Sequence, residues 1–422
     1  MRLLLVLLML LPDCYLWHHF LRHAPLVVQV VWFAPFLLST ALIVLMMTPF
    51  GEPWMFRVLA CLLLCFFLPK VFFLLPSLAG LALRWLLPVA WKVGNMVGLI
   101  AALSMACVVA YGMAEGWKRL VVREVTLCFD TLPKAFDGYR IVHLSDFHIG
   151  TYSTAPEVVS EVVEKVNALH GDMVCFTGDI VNSSPDELQP FLPVLRRLYA
   201  ADGVFSIMGN HDYCLYHPYG SERERCAAVS RLQDYQRQMG WTLLMNEYCL
   251  VSRSGETIAL AGVENAGKPP FPDRSDLSRA LTSHKLPEQE AIRPLPDSIV
   301  LSDSCSESHV APSSLFTILM SHDPTHWRRE VLQKSSVELQ LSGHTHATQF
   351  RMFGLSPAAF IYDEYAGAYE YDGSLSLPIV SASGSSSLRK LFVSTGVGSN
   401  VPFRFGVWPE IVVVTLRSGK GG

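Results

Sequence analysis

Charge is the scarcest feature of this chain. Asp, Glu, Lys and Arg make up only 17% of its 422 residues, against about a quarter in ordinary soluble domains. The shortage is concentrated at one end. Residues 1–117 hold nine such side chains: Arg2, Asp13, Arg22, Glu52, Arg57, Lys70, Arg84, Lys92 and Glu115. The rest is close to a soluble composition, so a single water-soluble globule is excluded and the first quarter reads as membrane. A basic stripe is also missing. Beyond residue 117 there are 27 basic against 34 acidic side chains, which excludes nucleic acid as an expected partner. The ten cysteines show no CxxC and no regular spacing, which argues against a disulfide framework or a thiolate zinc site.

The first part, residues 1–117, is expected to form about four transmembrane helices, near 3–20, 25–47, 55–82 and 93–114. The second and fourth are charge-free and long enough to cross a hydrocarbon layer of ~30 Å. The third carries Lys70 beside Pro69 and Pro76, and reads as a kinked span whose freed carbonyls neighbouring helices can satisfy. Lys70 itself admits two readings, a functional charge or a snorkelling one. The first segment starts like a secretory signal, but Pro12-Asp13-Cys14 stands where a small-residue cleavage site would be needed, which favours an uncleaved span. With four spans, Arg2, Arg57, Lys118, Arg119 and Arg123 share one side, against Arg22, Arg84 and Lys92 on the other. The positive-inside rule then makes this a multi-pass protein of the cell membrane with its large domain in the cytoplasm.

Residues 118–422 read as one α/β domain. Short apolar runs at 139–146, 172–179, 203–210, 257–263, 315–321 and 337–342 predict strands, and amphipathic stretches at 156–169, 186–199 and 222–239 predict helices. Strand and helix alternate, which implies βαβ units and a largely parallel sheet. Further strands at 241–252, 391–397 and 410–417 call for a second sheet packed on the first, and 286–314, rich in Pro and Ser, predicts a long loop.

Metal-competent residues recur where these strands end. The chain reads Ser145-Asp146-Phe147-His148, then Thr177-Gly178-Asp179, then Gly209-Asn210-His211-Asp212, then Ser321-His322-Asp323, then Gly343-His344-Thr345-His346. In an open α/β sheet the carboxyl ends of strands converge on one crevice. Asp146 and His148 are spaced to grip one ion, and Gly343 lets the backbone turn closely enough for His344 and His346 to reach neighbouring positions. Two carboxylates, one Asn and four His form a mixed oxygen and nitrogen set suited to Mn, Fe or Zn. Seven ligands are too many for one ion and suit two that share a bridge. Any one of these short motifs is common alone; five in order, each closing a strand, are not a packing requirement.

In this order the motifs resemble those of the calcineurin-like metallophosphoesterase superfamily, and within it the membrane-associated branch. The likeness extends to residues 137–146, Gly262-Val263, Gln349, Gly396-Val397-Gly398 and Pro409-Glu410. It implies a two-sheet β-sandwich flanked by helices, an α/β/β/α four-layer fold. It implies that Asp146, His148 and His346 hold one metal, that Asn210, His322 and His344 hold the other, and that Asp179 bridges them. His211 would face the substrate as general acid or electrostatic stabiliser, oriented by Asp212. Two positions depart from the pattern: Asn182 ends what is often GDxxD, and Ala347-Thr348 stand where relatives carry glycines. The resemblance implies a metal-dependent phosphoric ester hydrolase with two divalent ions, Mn the most apt. Its substrate would be a phosphodiester or pyrophosphate, with a lipid-linked one such as UDP-diacylglucosamine attractive for a membrane-tethered site. The alternative is a membrane sensor or scaffold that binds phosphate ligands without turnover. Arg223, Arg225 and Arg231 could reach phosphate or simply form a solvated helix face.

Overall fold

The computed structural model describes residues 2–48, 50–285, 315–371 and 389–419. The loop expected at 286–314 lies outside the described residues. The chain divides into two compact units, Met1–Gly116 with Val401–Phe405, and Trp117–Asn400 with Gly406–Gly422.

The first unit is helical. It contains α1 (Arg2–Leu16), α2 (Leu26–Leu45), α3 (Pro53–Leu62), α4 (Leu68–Leu83) and α5 (Ala90–Ala114). Three stretches, Leu26–Leu45, Pro53–Leu83 and Ala90–Lys118, are long and apolar enough to cross a membrane, while Val6–Leu21 is apolar but shorter. Between α3 and α4 the helix widens into a π turn at Leu63–Phe67. Pro69 brings no backbone N–H and its ring crowds the preceding turn, and the widened turn absorbs that mismatch. Small residues let α4 and α5 meet closely: a Cβ on Gly94 would lie 2.5 Å from the Pro76 carbonyl oxygen, and one on Gly98 2.6 Å from that of Phe73. Such contacts matter where lipid removes the hydrophobic drive between helices.

Lys70 has a partner that its sequence surroundings do not reveal. Its Nζ lies 2.5 Å from Asp13 Oδ1 on α1 and 4.3 Å from the centroid of the Trp32 ring on α2. The charge therefore ties helices together, and snorkelling does not describe it. Removing one member of a buried pair leaves an uncompensated charge, at a cost of roughly 3–5 kcal/mol. Asp13→Ala and Lys70→Ala are each expected to lower the thermal midpoint of the detergent-solubilised protein, and the double substitution to recover most of the loss. Additive losses in the double variant would refute a coupled pair.

In the second unit two six-stranded sheets face each other. The first runs β1-β12-β2-β3-β4-β5 and the second β10-β11-β9-β8-β7-β6. The first sheet's strands are β1 (Val121–Phe129), β2 (Arg140–Leu144), β3 (Met173–Phe176), β4 (Val204–Ser206), β5 (Thr242–Leu243) and β12 (Glu410–Ser418). The second comprises β6 (Glu247–Arg253), β7 (Glu256–Gly262), β8 (Thr317–Met320), β9 (Leu339–Ser342), β10 (Gly367–Tyr371) and β11 (Arg389–Val393). β2 to β5 are parallel to one another, as are β7, β8, β9 and β11. Alternation along the strands builds the layers. Ile141, Met173, Phe205 and Val412 of the first sheet share a core with Leu260, Ile318, Leu339 and Phe392 of the second. Val142, Leu144 and Val174 face the other way, into a core with Val158, Val162 and Val166 of α6 (Pro156–Ala168). Ala259, Leu319 and Leu391 pack with Trp327 and Val331 outside the second sheet. The expected two-sheet sandwich flanked by helices is the observed architecture.

Two elements differ from expectation. The single helix expected at 186–199 is a pair of 3-10 turns, Pro185–Glu187 and Gln189–Phe191, followed by one α-turn, α7 (Leu192–Leu195). Pro190 and Pro193 withhold the amides that a continuous helix needs. The strand expected at 241–252 is two strands, β5 in one sheet and β6 in the other, with Asn246 at φ 60 between them. Beyond β4 the amphipathic stretch forms α8 (Glu222–Gln238).

Candidate metal centre

The strand ends that carry the motifs belong to both sheets. β2, β3 and β4 deliver Asp146, His148, Asp179 and Asn210, while β8 and β9 deliver His322, His344 and His346. The crevice is thus shared by the carboxyl ends of two sheets, where the sequence argument invoked one. Ligand-competent atoms fall into three compact groups: Asp146, His148 and His346; His148, Asp179 and His211; and Asp179, His322 and His344. His148 Nε2 lies 3.0 Å from His346 Nε2 and 3.7 Å from Asp179 Oδ2. His346 Nε2 is 3.3 Å from Asp146 Oδ1, and His322 Nε2 is 3.1 Å from Asp179 Oδ2. Asn210 joins the second group through its Oδ1, 2.9 Å from His344 Nδ1.

The backbone is unusual throughout. Asp146, His148, Asp179, His344 and His346 have φ of 54, 46, 59, 71 and 48°, the left-handed region that costs an L-residue roughly 1–2 kcal/mol. Such strain concentrates at functional sites where surrounding structure over-determines it. Here the Asp146 amide donates to the Gly178 carbonyl at 2.9 Å, and the Asp146 carbonyl accepts from the Gly398 amide at 2.9 Å. The Asp146 carboxylate accepts from the His344 amide at 3.0 Å. Gly343 serves space: a Cβ there would collide with Ser145 Oγ and Asp146 Oδ2. The left-handed conformation falls on His344, so Gly343 contributes close approach of the backbone and not a positive φ. Ala347 and Thr348, where glycines were noted as missing, hold φ of 46 and 53°, so this chain makes the same kind of turn with side chains in place.

Asp212 has a different task from the one expected of it. Its Oδ2 accepts from the amides of Asp179 at 2.7 Å and Gly209 at 2.8 Å, and its Oδ1 from those of Ile180 at 2.9 Å and Val181 at 3.3 Å. Burial and the Asp179 charge push its pKa up to about 7 against the pull of those donors. The expectation that Asp212 orients His211 is therefore corrected. His211 Nδ1 instead donates to the Asn182 carbonyl at 2.6 Å, because the 3-10 turn His211–Tyr213 sends consecutive side chains in different directions. The ring of Tyr216 lies against His211, tilted by 38° at 4.3 Å, and the Tyr216 hydroxyl accepts from Asn210 Nδ2 at 3.0 Å. Phe271 and Tyr362 meet the His344 ring edge-on at 4.7 and 5.9 Å. Tyr216 and Phe271 were missed by motif reading. The only available signal was aromatic residues in loops beside the metal motifs.

Asn182 Nδ2 donates to Thr151 Oγ1 at 3.0 Å and to Asn400 Oδ1 at 2.9 Å, which places it behind the site. His143 is buried in β2 beside Thr177 Oγ1, and burial pushes its pKa down to about 3; His326 is held between Ser321 and Glu330. Asp323 accepts from Lys268 N and from Thr325, and closes a turn with its carboxylate. Arg231 is exposed and pairs with Asp186, which fits the solvated-face reading, whereas the largely buried Arg225 pairs with Glu222 and donates to the Tyr213 carbonyl.

The donor set fits divalent cations. His322 Nδ1 donates to the Thr177 carbonyl at 2.7 Å, while its buried Nε2 faces only the Asp179 carboxylate, at 3.1 Å. His344 Nε2 is buried and has no hydrogen-bond partner. One ring nitrogen fixed and the other left with a lone pair is the arrangement of a ligating histidine. Burial holds His148 and His344 below the usual imidazole range, in the neutral form that can bind a metal. Burial opposes charge on His322 as well, but the Asp179 carboxylate beside it raises its pKa to about 10. The pocket thus draws positive charge.

Residues 139–348 match the family model described as Calcineurin-like phosphoesterase. The chain is 29% identical over 341 residues to "Uncharacterized metallophosphoesterase YkuE" of Bacillus subtilis, covering 77% of this chain and 96% of that protein. It is 25% identical over 442 residues to "Transmembrane protein with metallophosphoesterase domain" of Bos taurus, covering 97% and 87%. It is 26% identical over 339 residues to "UDP-2,3-diacylglucosamine pyrophosphatase LpxG" of Chlamydia trachomatis, covering 75% and 97%.

The glycine argument is directly testable. Gly343→Ala is expected to reduce metal affinity by more than about tenfold by displacing Asp146, measured as metal content after dialysis. Thr348→Gly relieves a strained residue and should keep full metal content, with stability no more than about 1 kcal/mol below the parent. Normal metal content in Gly343→Ala would contradict this account.

Proposed function

The chain belongs to the calcineurin-like phosphoesterase family, and on that premise we propose that it is a membrane-anchored dinuclear-metal hydrolase of phosphodiester or pyrophosphate bonds. The single observation that carries this reading is the pair of three-residue groups, Asp146/His148/His346 and Asp179/His322/His344, brought together from two sheets. Asp146, His148 and His346 would hold one ion, and Asn210, His322 and His344 the other, with Asp179 between them. The oxygen and nitrogen donors favour Mn, with Fe or Zn as alternatives. When bound, two such ions supply an activated water and neutralise charge on the phosphoryl oxygens.

The protein's own groups do the rest. His211 Nδ1–H is committed to the Asn182 carbonyl, so a second proton carried on Nε2 would be the one given to the departing oxygen, leaving the ring neutral. Tyr216 lies against the His211 ring and restricts its rotation. Asp212 keeps the amides around Asp179 and Gly209 in place and acts through position, without touching the substrate. The Asp179→Ala protein should lose metal-dependent hydrolysis of a generic aryl phosphodiester by more than about hundredfold; full retained activity would sink the reading. His211→Asn should lower kcat by roughly 10²–10⁴-fold with metal content unchanged. Loss of metal in that variant would make His211 a ligand.

We further propose a lipid-linked substrate, of the kind named for the Chlamydia trachomatis relative. The support is that likeness and the helices long enough to cross a membrane. We read residues 1–117 as four spans and the domain that follows as cytoplasmic, on the distribution of Lys and Arg. Purified full-length protein, screened with metal against lipid-linked diphosphates and soluble phosphodiesters, should prefer the lipid-linked class. Equal turnover of both would remove the case for it.

A further inference from the structure

The loop between the HxH motif and Tyr362 exposes apolar side chains that its fold could have hidden. Phe353 is 92% exposed, Leu355 75%, Phe360 92% and Ile361 63%. Isolated exposed apolar residues are ordinary, whereas a contiguous group on one loop marks an interaction surface. Residues 350–361 carry one charge, Arg351, and no carboxylate.

The loop is built to present this group. Met352 and Leu355 exchange both backbone hydrogen bonds at 3.0 Å, closing a two-residue hairpin with Phe353 at φ 53 and Gly354 at φ 80°. Positive φ at both central residues defines a tight turn that suits strand twist and is locally rigid. At its base Ser356 Oγ donates to the Ala347 carbonyl at 2.7 Å, and Ala358 is buried in a cluster with Ala347 and Val407. The Phe360 and Ile361 side chains follow directly on a 3-10 turn, Pro357–Phe360. One end of the loop continues from His346, and the other leads into Tyr362, whose ring meets His344.

We infer that this loop is an interfacial anchor that inserts Phe353, Leu355, Phe360 and Ile361 into the lipid bilayer beside the catalytic site. A bilayer is the occupant that the chain itself supplies. Six residues separate Ala114, the end of an apolar helix, from Val121, the start of β1, a reach of about 25 Å when fully extended. The domain cannot leave the membrane surface, so an apolar tip on it meets lipid at high effective concentration. Aromatic and aliphatic side chains with one basic group and no acid suit the boundary between headgroups and acyl chains. Insertion would bring headgroups to the rim formed by Tyr362. That consequence rests on the lipid-substrate reading; the insertion itself rests only on the membrane spans.

The test uses full-length protein in vesicles of phosphatidylcholine and phosphatidylglycerol. A photo-reactive benzoylphenylalanine is placed at Phe353, at Phe360, or at Tyr199, which is also exposed (68%) but lies outside the loop. Illumination should give lipid adducts, read by mass spectrometry, at 353 and 360 and none at 199. Adducts to a second copy, to another segment of the same chain, or none at all would overturn the proposal. In a second arm, Phe353→Ser/Phe360→Ser should leave turnover of a soluble aryl phosphodiester unchanged and lower turnover of a bilayer-embedded lipid diphosphate by about tenfold. Equal loss on both substrates would show a structural role and count against the anchor. Lipid adducts with no preference for the lipid diphosphate would leave the anchor standing and remove the substrate reading alone.

Discussion

Two peptide segments, around Asp146 and around Asp179, have to be held in left-handed conformations before any ligand can point inward. The chain spends its strongest hydrogen bonds on this. Asp212 commits both carboxylate oxygens to the backbone at Asp179, Ile180, Val181 and Gly209. The His148 amide donates to the Asp179 carbonyl at 3.1 Å, so the two strained segments support each other. Because each contact over-determines its neighbour, the site behaves as a unit. Charge completes the constraint. With Asp179 against His322, the pocket raises that imidazole's affinity for a proton, and a divalent cation satisfies the same electrostatic demand with more charge.

Ligands from two sheets make the site depend on the layer between them. Leu260, Ile318, Phe205 and Met173 interdigitate there with no exposed surface. Close packing transmits displacement, so the spacing of Asp179 from His322 is a property of the sandwich core as much as of the loops. The glycines at the rim express the same limit. A Cβ on Gly209 would strike the Asp179 carboxylate, and one on Gly396 would come 2.7 Å from Asp146 Cβ. Close approach is what both positions require, and Gly396 in addition sits at φ 84°.

Strand ends were legible because residue type changes abruptly there: Val174-Cys175-Phe176 gives way to Thr177-Gly178-Asp179 within one residue. The two-sheet fold followed from strand number and order. Side-chain direction inside a turn was not legible: the resemblance implies that Asp212 orients His211, whereas its carboxylate turns to the backbone. The segment at 186–199 had helical periodicity, which its prolines overrode. The Asp13–Lys70 pair joins residues 57 apart in sequence, and nothing local to either one announces the other. The aromatic contacts of Tyr216 and Phe271 depend on loop paths that periodicity does not encode.

The electrostatics of the second part bear on how substrate arrives. Residues 118–422 carry a net charge of −7 by count of their acidic and basic side chains. A phosphoester is itself anionic, so the long-range field opposes its approach from solution, with a range of about 8 Å at physiological salt. Attraction would begin only within the pocket, where Asp179 and His322 already favour positive charge and ions held by the ligand set would offset the carboxylates. An enzyme with this distribution gains little from diffusional capture and more from a substrate already held nearby. A bilayer provides that, since it confines both partners to one surface and replaces steering by proximity. The acidic domain and the apolar helices, which looked like unrelated compositional biases, are thus both consistent with the lipid-linked substrate proposed above.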